Sequence, residues 1–200
     1  MRSHDSISGR IILWIYLLGF LAFACVDVFF SKLTALDNLT AVVLVLVALL
    51  VGRKYRITKA AAICIGLVFV PNLLGHLGGY SLNIFEYNYD KIVHLFTAFF
   101  TSISLFLFVR ANSRKPRLYK IATLAFVMTI AFGALVEVAE YWGFVFIGFG
   151  DGYLGFGSGD SGKNFGPWED SSVDTTCNVA GSLVGVFAAL LAIRIKKAYI

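Results

Sequence analysis

At 200 residues, 58% hydrophobic and only 14% charged, with a mean hydropathy of +0.80, the chain falls outside the range of soluble globular domains; residues 1–200 read as one integral membrane domain. Its net charge of +5 does not indicate nucleic acid, because the cations cluster at the ends of apolar runs and no basic stripe with interleaved aromatics occurs. Cys25, Cys64 and Cys177 have no metal-binding spacing and are odd in number, which excludes a disulfide framework and leaves them as small packing residues.

The first predicted span covers residues 11–30, after a polar and weakly basic leader, Met1 to Arg10. A cleaved signal peptide is the rival reading, but the run is long for one, and Phe23 stands where a processing site wants a small residue. The second span covers residues 33–51, with a core short for a bilayer crossing. The third covers residues 58–74, after the basic loop Gly52 to Arg56; Pro71 is expected to kink it and leave a backbone carbonyl without its usual donor. A Gly- and Tyr-rich loop leads to the fourth span, residues 91–109, and the most basic loop, Arg110 to Lys120, leads to the fifth, residues 119–146. Residues 147–170 form a glycine-rich loop expected to cover the outer mouth of the bundle, and the sixth span is 173–193. The expected fold is thus an all-α, polytopic transmembrane bundle of about six spans.

Cytoplasmic loops collect Lys and Arg. With six spans and both termini inside, all of the 17 cations except Lys32, Lys91 and Lys163 fall on the inner side. Every acid except Asp5 then lies in an outer loop or the outer half of a helix. The predicted location is a bacterial or archaeal cytoplasmic membrane, crossed several times, with membrane lipids as partners.

Within the fifth span, Glu137 and Glu140 interrupt a run that is otherwise apolar from Ile121 to Phe146. At ~1.5 Å rise per residue they lie about 13 Å and about 9 Å below the outer boundary, where acids are costly. Their spacing puts them on one helical face, which Gly133 continues as a small surface for another helix. On the fourth span Asp90, His94, Thr97 and Thr101 form one polar stripe; on the sixth, Asp170, Asp174, Asn178, Gly181 and Gly185 form another, polar above and small below. Asp27, Asn72 and His76 reach the same level. An acid facing lipid at that depth costs about 2.5 kcal/mol or more, so His94, Glu137, Glu140, Asp174 and Asn178 are expected to converge in one pocket. Asp90 and Asp170 sit at helix starts, where capping is the simpler role.

The near-match to a phosphate-binding loop at Gly157 to Asn164 lacks the final Ser or Thr and is followed by Pro167, so it is read as part of the flexible loop. Asp151 and Asp160 fit no standard calcium loop.

Tyr89-Asp90-Lys91-Ile92-Val93-His94, Glu137-Val138-Ala139-Glu140 with Trp142, and Asp170-Ser171-Ser172-Val173-Asp174 followed by Asn178 and Gly181 resemble the three motifs of VanZ-like membrane proteins, and the chain is most similar to their YjdF-like relatives. The VanZ-like patterns are D-K-x-x-H, E-x-x-Q and D-x-x-x-N-x-x-G; Glu140 stands in place of the Gln. YjdF-like proteins carry E-x-x-E-W and W-D-x-x-x-D, from which this chain departs by Tyr141 before Trp142 and Glu169 after Trp168. The resemblance implies a small polytopic protein of the cell envelope, linked in the VanZ case to glycopeptide resistance, and no particular reaction.

The residues leave three functions open. The favoured one is a buried site, open to the outer leaflet, that binds a polar lipid or cell-wall headgroup through His94, Glu137, Glu140 and Asp174, with Asp90, Asp170, Asn178 and His76 as further contacts. In the second, the same four residues form a catalytic group, or hold a divalent metal that activates water, for hydrolysis or headgroup transfer. The third is a structural or proton-coupled transport component. Glu137 and Glu140 are expected to share a proton unless His94 or a metal supplies positive charge.

Overall fold

A computed structural model of the protein describes residues 2–30, 32–81, 83–84, 87–115, 117–146 and 167–198. The elements in chain order are α1 (Arg2–Phe30), α2 (Lys32–Lys54), α3 (Lys59–Leu67), α4 (Val70–His76), a 3-10 turn (Gly79–Ser81), β1 (Asn83–Ile84), β2 (Tyr87–Asn88), α5 (Tyr89–Asn112), α6 (Leu118–Phe146) and α7 (Pro167–Ala198). The two strands are only a tight antiparallel hairpin, Asn83 opposite Asn88 and Ile84 opposite Tyr87; otherwise the described chain is helical. Four helices are long and apolar enough to cross a membrane, at Asp5–Val26, Tyr89–Asn112, Leu118–Gly143 and Glu169–Ile195. A shorter apolar stretch runs from Lys59 to Gly75.

Most helices run a few residues beyond the predicted spans, and three of the differences matter to the fold. The helix α1 begins at Arg2, not Ile11, so the polar leader is helical. Asp5 sits in its first turn, where a carboxylate complements the helix dipole. It also accepts hydrogen bonds from Arg56 Nη2 and the Lys59 backbone N–H, each at 3.3 Å. Asn112 grips the same loop, accepting from the Arg56 N–H at 2.8 Å and donating to its carbonyl at 2.9 Å. The start of α1, the α2–α3 connection and the end of α5 are thereby fastened together.

Pro71 does more than kink its span: α3 and α4 are separate helices, broken at Val68 and Phe69, with the proline in the first turn of α4. The Val68 carbonyl at the break accepts from the Thr97 hydroxyl of α5 at 3.2 Å, and the Pro71 carbonyl accepts from the Tyr89 hydroxyl at 3.1 Å. Past the end of α4, Gly78 takes φ +117°, a backbone conformation that glycine adopts at little cost.

The glycine-rich loop predicted to end at residue 170 ends by Pro167, where α7 begins. Proline suits a first helical position, and Glu169 and Asp170 in the first turn complement the dipole. The remainder of that loop, with Asp151 and Asp160, lies outside the described residues.

Two apolar cores result. One joins α1, α2 and α3 through Leu13, Leu17, Phe20, Val45, Ile57 and Ala61. The other joins α5, α6 and α7 through Phe106, Ile121, Ala125, Val186, Ala189 and Ile193, all drawn from the end of the three-helix unit that holds the α5–α6 connection. The outward face of α6 exposes Phe132, Leu135, Val138, Trp142 and Phe146, the composition of a lipid-facing surface. The other end of the α5–α6–α7 unit is polar.

Candidate functional site

The starts of α5 and α7 and the end of α6 meet, and each contributes ionisable side chains to the interior. Glycines allow the approach. A Cβ on Gly181 or Gly185 of α7 would overlap the carbonyls of Leu95 and Phe99 on α5, and a Cβ on Gly133 of α6 would lie 2.7 Å from Asn178 Nδ2. The small residues of these stripes therefore set the distances between the charged ones.

Lys91 occupies the centre of the first group. Only 7% exposed, its ammonium donates to Asp174 Oδ2 at 2.9 Å, to Asp90 Oδ2 at 3.2 Å and, at still shorter range, to Asp170 Oδ1. Asp170 and Asp174 are 3% and 0% exposed, so this is a lysine closed in by carboxylates and removed from solvent. By charge distribution alone Lys91 is one of three outer-side exceptions, and no role follows for it from that distribution. The signal was present: acids from three helices predicted at one depth require a cation, and Lys91 is the Lys of the D-K-x-x-H pattern. Asp170 and Asp90, read as caps, do occupy first turns but spend their carboxylates on the lysine.

His94, one turn into α5 from Lys91, divides the site. Its Nε2 faces Asp90 Oδ2 at 3.6 Å and Asp174 Oδ1 at 3.9 Å. Its Nδ1 faces Glu137 Oε1 of α6 at 3.5 Å and lies 3.3 Å from Asn178 Nδ2 of α7. Glu137, 7% exposed, shares that side with the half-buried Glu140. The Ser171 side chain is within loose hydrogen-bonding range of the Glu137 carboxylate, but neither Glu137 oxygen, nor Asp174 Oδ1, has a partner at strict hydrogen-bonding geometry.

The structure thus brings together His94, Glu137, Glu140, Asp174 and Asn178, with Asp90 and Asp170 added through Lys91. It divides the expected ligand set: His94, Glu137 and Glu140 each offer an atom within 4.8 Å of the others, and so do His94, Asp90 and Asp174. Thr97 turns away to Val68, and Asn72 accepts from the Tyr80 hydroxyl. The side chains of His76 and Asp27 lie outside the described residues.

Five buried or half-buried carboxylates, Asp90, Glu137, Glu140, Asp170 and Asp174, face one lysine and one imidazole. Such a site can bind cations and hydrogen-bond donors, and it can relay or abstract protons through the carboxylate–imidazole contact. Neither a curated protein nor a solved structure matches the chain. A family model does: described as a predicted membrane protein (DUF2238), it matches residues 9–197, and the chain belongs to that family.

Proposed function

We propose that the protein is a multi-pass component of the bacterial or archaeal cell membrane, with six spans and both termini cytoplasmic, whose buried acidic site in the outer half of the bundle binds the headgroup of a polar lipid or cell-wall intermediate. The unpartnered oxygens of Glu137 and Asp174 carry this reading. Polar groups that only fasten helices together are satisfied by one another, whereas a buried acceptor left without a donor costs the fold more than a hydrogen bond contributes on average. A ligand offering donors or positive charge removes that cost. The resemblance of the Lys91–His94, Glu137–Glu140 and Asp170–Gly181 motifs to those of VanZ-like and YjdF-like proteins supports the cell-envelope setting.

Headgroup binding is tested on detergent-purified protein by thermal unfolding with short-chain phosphatidylglycerol, phosphatidylethanolamine, or a diacylglycerol of the same chain length. At least one headgroup lipid should raise Tm where the diacylglycerol does not, and Glu137→Gln should remove most of that rise. An equal response to all three lipids would reduce the effect to contact with acyl chains and sink the reading.

The contact between Nδ1 of His94 and Glu137 at 3.5 Å favours one second reading, hydrolysis or headgroup transfer by general acid–base chemistry. Release of headgroup from a radiolabelled lipid by the wild type, absent in His94→Ala, would replace binding by catalysis as the conclusion.

The orientation rests on the distribution of Lys and Arg. On a background lacking the native cysteines, Leu77→Cys should react with an impermeant thiol reagent added to intact cells, and Arg114→Cys only after the membrane is opened. The reverse pattern would invert the topology.

A further inference from the structure

We propose that His94 Nδ1, Glu137 and Glu140 form a binding site for one divalent transition-metal cation, separate from the Lys91 cage on the opposite edge of the same imidazole ring. The proposal concerns the cation alone and stands apart from the headgroup reading.

The two edges of His94 differ in what neutralises their acids. On the Nε2 edge, Asp90 Oδ2 and Asp174 Oδ2 each accept from the Lys91 ammonium, which also binds Asp170. Positive charge is already built into that edge. On the Nδ1 edge the acid is Glu137, and among the described residues no Lys or Arg pairs with it. Its carboxylate is more than nine-tenths buried, points at the ring nitrogen, and has a partner at strict hydrogen-bonding geometry on neither oxygen, Ser171 alone lying in looser range.

The neighbours of the ring favour one tautomer. The Asn178 amide nitrogen lies 3.3 Å from Nδ1; with that nitrogen donating, Nδ1 is the acceptor. The ring proton then sits on Nε2, directed towards Asp90 Oδ2 and Asp174 Oδ1. A histidine whose far N–H faces carboxylates while its near nitrogen presents a lone pair is the arrangement that holds metal-ligating imidazoles in place. Without a cation, Nδ1 is left to the Asn178 amide, and the Glu137 carboxylate faces the same ring nitrogen at 3.5 Å, so a cation would enter by displacing the amide.

The dimensions fit. Metal–nitrogen and metal–oxygen bonds of about 2.0–2.2 Å place tetrahedral ligand atoms roughly 3.4 Å apart. The separation of His94 Nδ1 and Glu137 Oε1, 3.5 Å, is already that distance. Glu140 stands one turn along α6 on the same face, and with its oxygen all three ligand atoms lie within 4.8 Å of one another. One imidazole and two carboxylates suit Zn2+, Mn2+ or Fe2+ better than Ca2+, which takes six to eight oxygens. Three protein ligands leave a coordination position open. If the headgroup reading holds, that position would accept a headgroup oxygen, which explains how so acidic a site could receive a phosphate.

The test uses metal alone. Full-length protein purified in detergent, stripped with a chelator and dialysed, is titrated with Mn2+ followed by electron paramagnetic resonance, and with Co2+ followed by visible absorption. About one equivalent of each should bind, and Zn2+ should displace it. Glu137→Gln and His94→Ala should each weaken binding at least 100-fold while Asp174→Asn, which acts through the ring, weakens it by about tenfold. Circular dichroism and Tm establish that each variant is folded; Glu140→Gln, at the half-buried position, provides a milder ligand loss expected to weaken binding about tenfold or more. No binding of any of the three metals by folded wild type overturns the proposal. So does undiminished binding in folded Glu137→Gln, or a larger loss in Asp174→Asn than in Glu137→Gln, which would put the ion on the Nε2 edge. Metal binding without any headgroup response would uphold this site and sink the headgroup reading.

Discussion

Lys91→Met should lower the stability of the folded protein by about 3–5 kcal/mol, the usual cost of removing one partner from a buried ion pair and leaving the other behind. The effect is large because three carboxylates are left behind at once. Asp90, Asp170 and Asp174 all accept hydrogen bonds from the one ammonium, and two of them are almost fully buried. Methionine matches the length of the lysine stem, so the loss reports charge and hydrogen bonding and not a cavity. Coupling can be read directly: Lys91→Met combined with Asp174→Asn should be less destabilised than the two single losses added together, by roughly 1–3 kcal/mol for residues in direct contact. Equilibrium unfolding in mixed micelles measures all four proteins. A Lys91→Met protein within about 1 kcal/mol of wild type, set against the cost of breaking a buried pair, would show that the acids do not depend on this cation.

Lys91 also shows where the sequence stopped being readable. The fifth predicted span, residues 119–146, differs from α6 by one residue because nothing in that run competes with an apolar helix. The polar stripes of α5 and α7 were visible for the same reason: a period near 3.6 places Asp90 beside His94 and Asp174 beside Asn178 whatever surrounds them. What periodicity does not contain is the pairing between helices. Lys91 is adjacent to the stripe, and a charge near a predicted boundary looks the same whether it snorkels to water or turns inward to three acids. Likewise the stripe predicted that His94, Glu137 and Asp174 would meet, but not that they would meet on two edges of one ring, which depends on rotamers and on the contact between Asn178 and Gly133. The boundaries that moved have local causes. Asp5 was read as part of a polar leader because its partners, Arg56 and the Lys59 N–H, are more than 50 residues away. Pro167 was read as part of a loop, although proline at a first helical position followed by two acids is equally a helix start.

Gly181→Leu should prevent α5 and α7 from closing and give little or no folded protein, with Gly181→Ala as a graded version. Even the Cβ of alanine would overlap the Leu95 carbonyl and lie 3.2 Å from the Ala98 Cβ, and the obstacle at Leu95 is backbone, which cannot rotate aside. One turn further along, Gly185 meets the Phe99 carbonyl and the Ser102 hydroxyl, so the two helices touch along a line and cannot yield at a single point. Overpacking a well-filled core costs about 1–3 kcal/mol, and here the same displacement also pulls Asp170 and Asp174 on α7 away from Lys91 on α5. The two losses share a cause, so Gly181→Leu should exceed the cost of overpacking alone, and Gly181→Ala should already lower Tm. Gly19→Leu is the control: it adds the same side chain to an exposed position of α1 where a Cβ meets nothing within 4 Å. Size-exclusion profiles and thermal unfolding in detergent compare the three proteins. A Gly181→Leu variant that elutes and melts like Gly19→Leu would mean that α5 and α7 do not approach at Leu95, and the geometry of the acidic site built on that approach would fall with it.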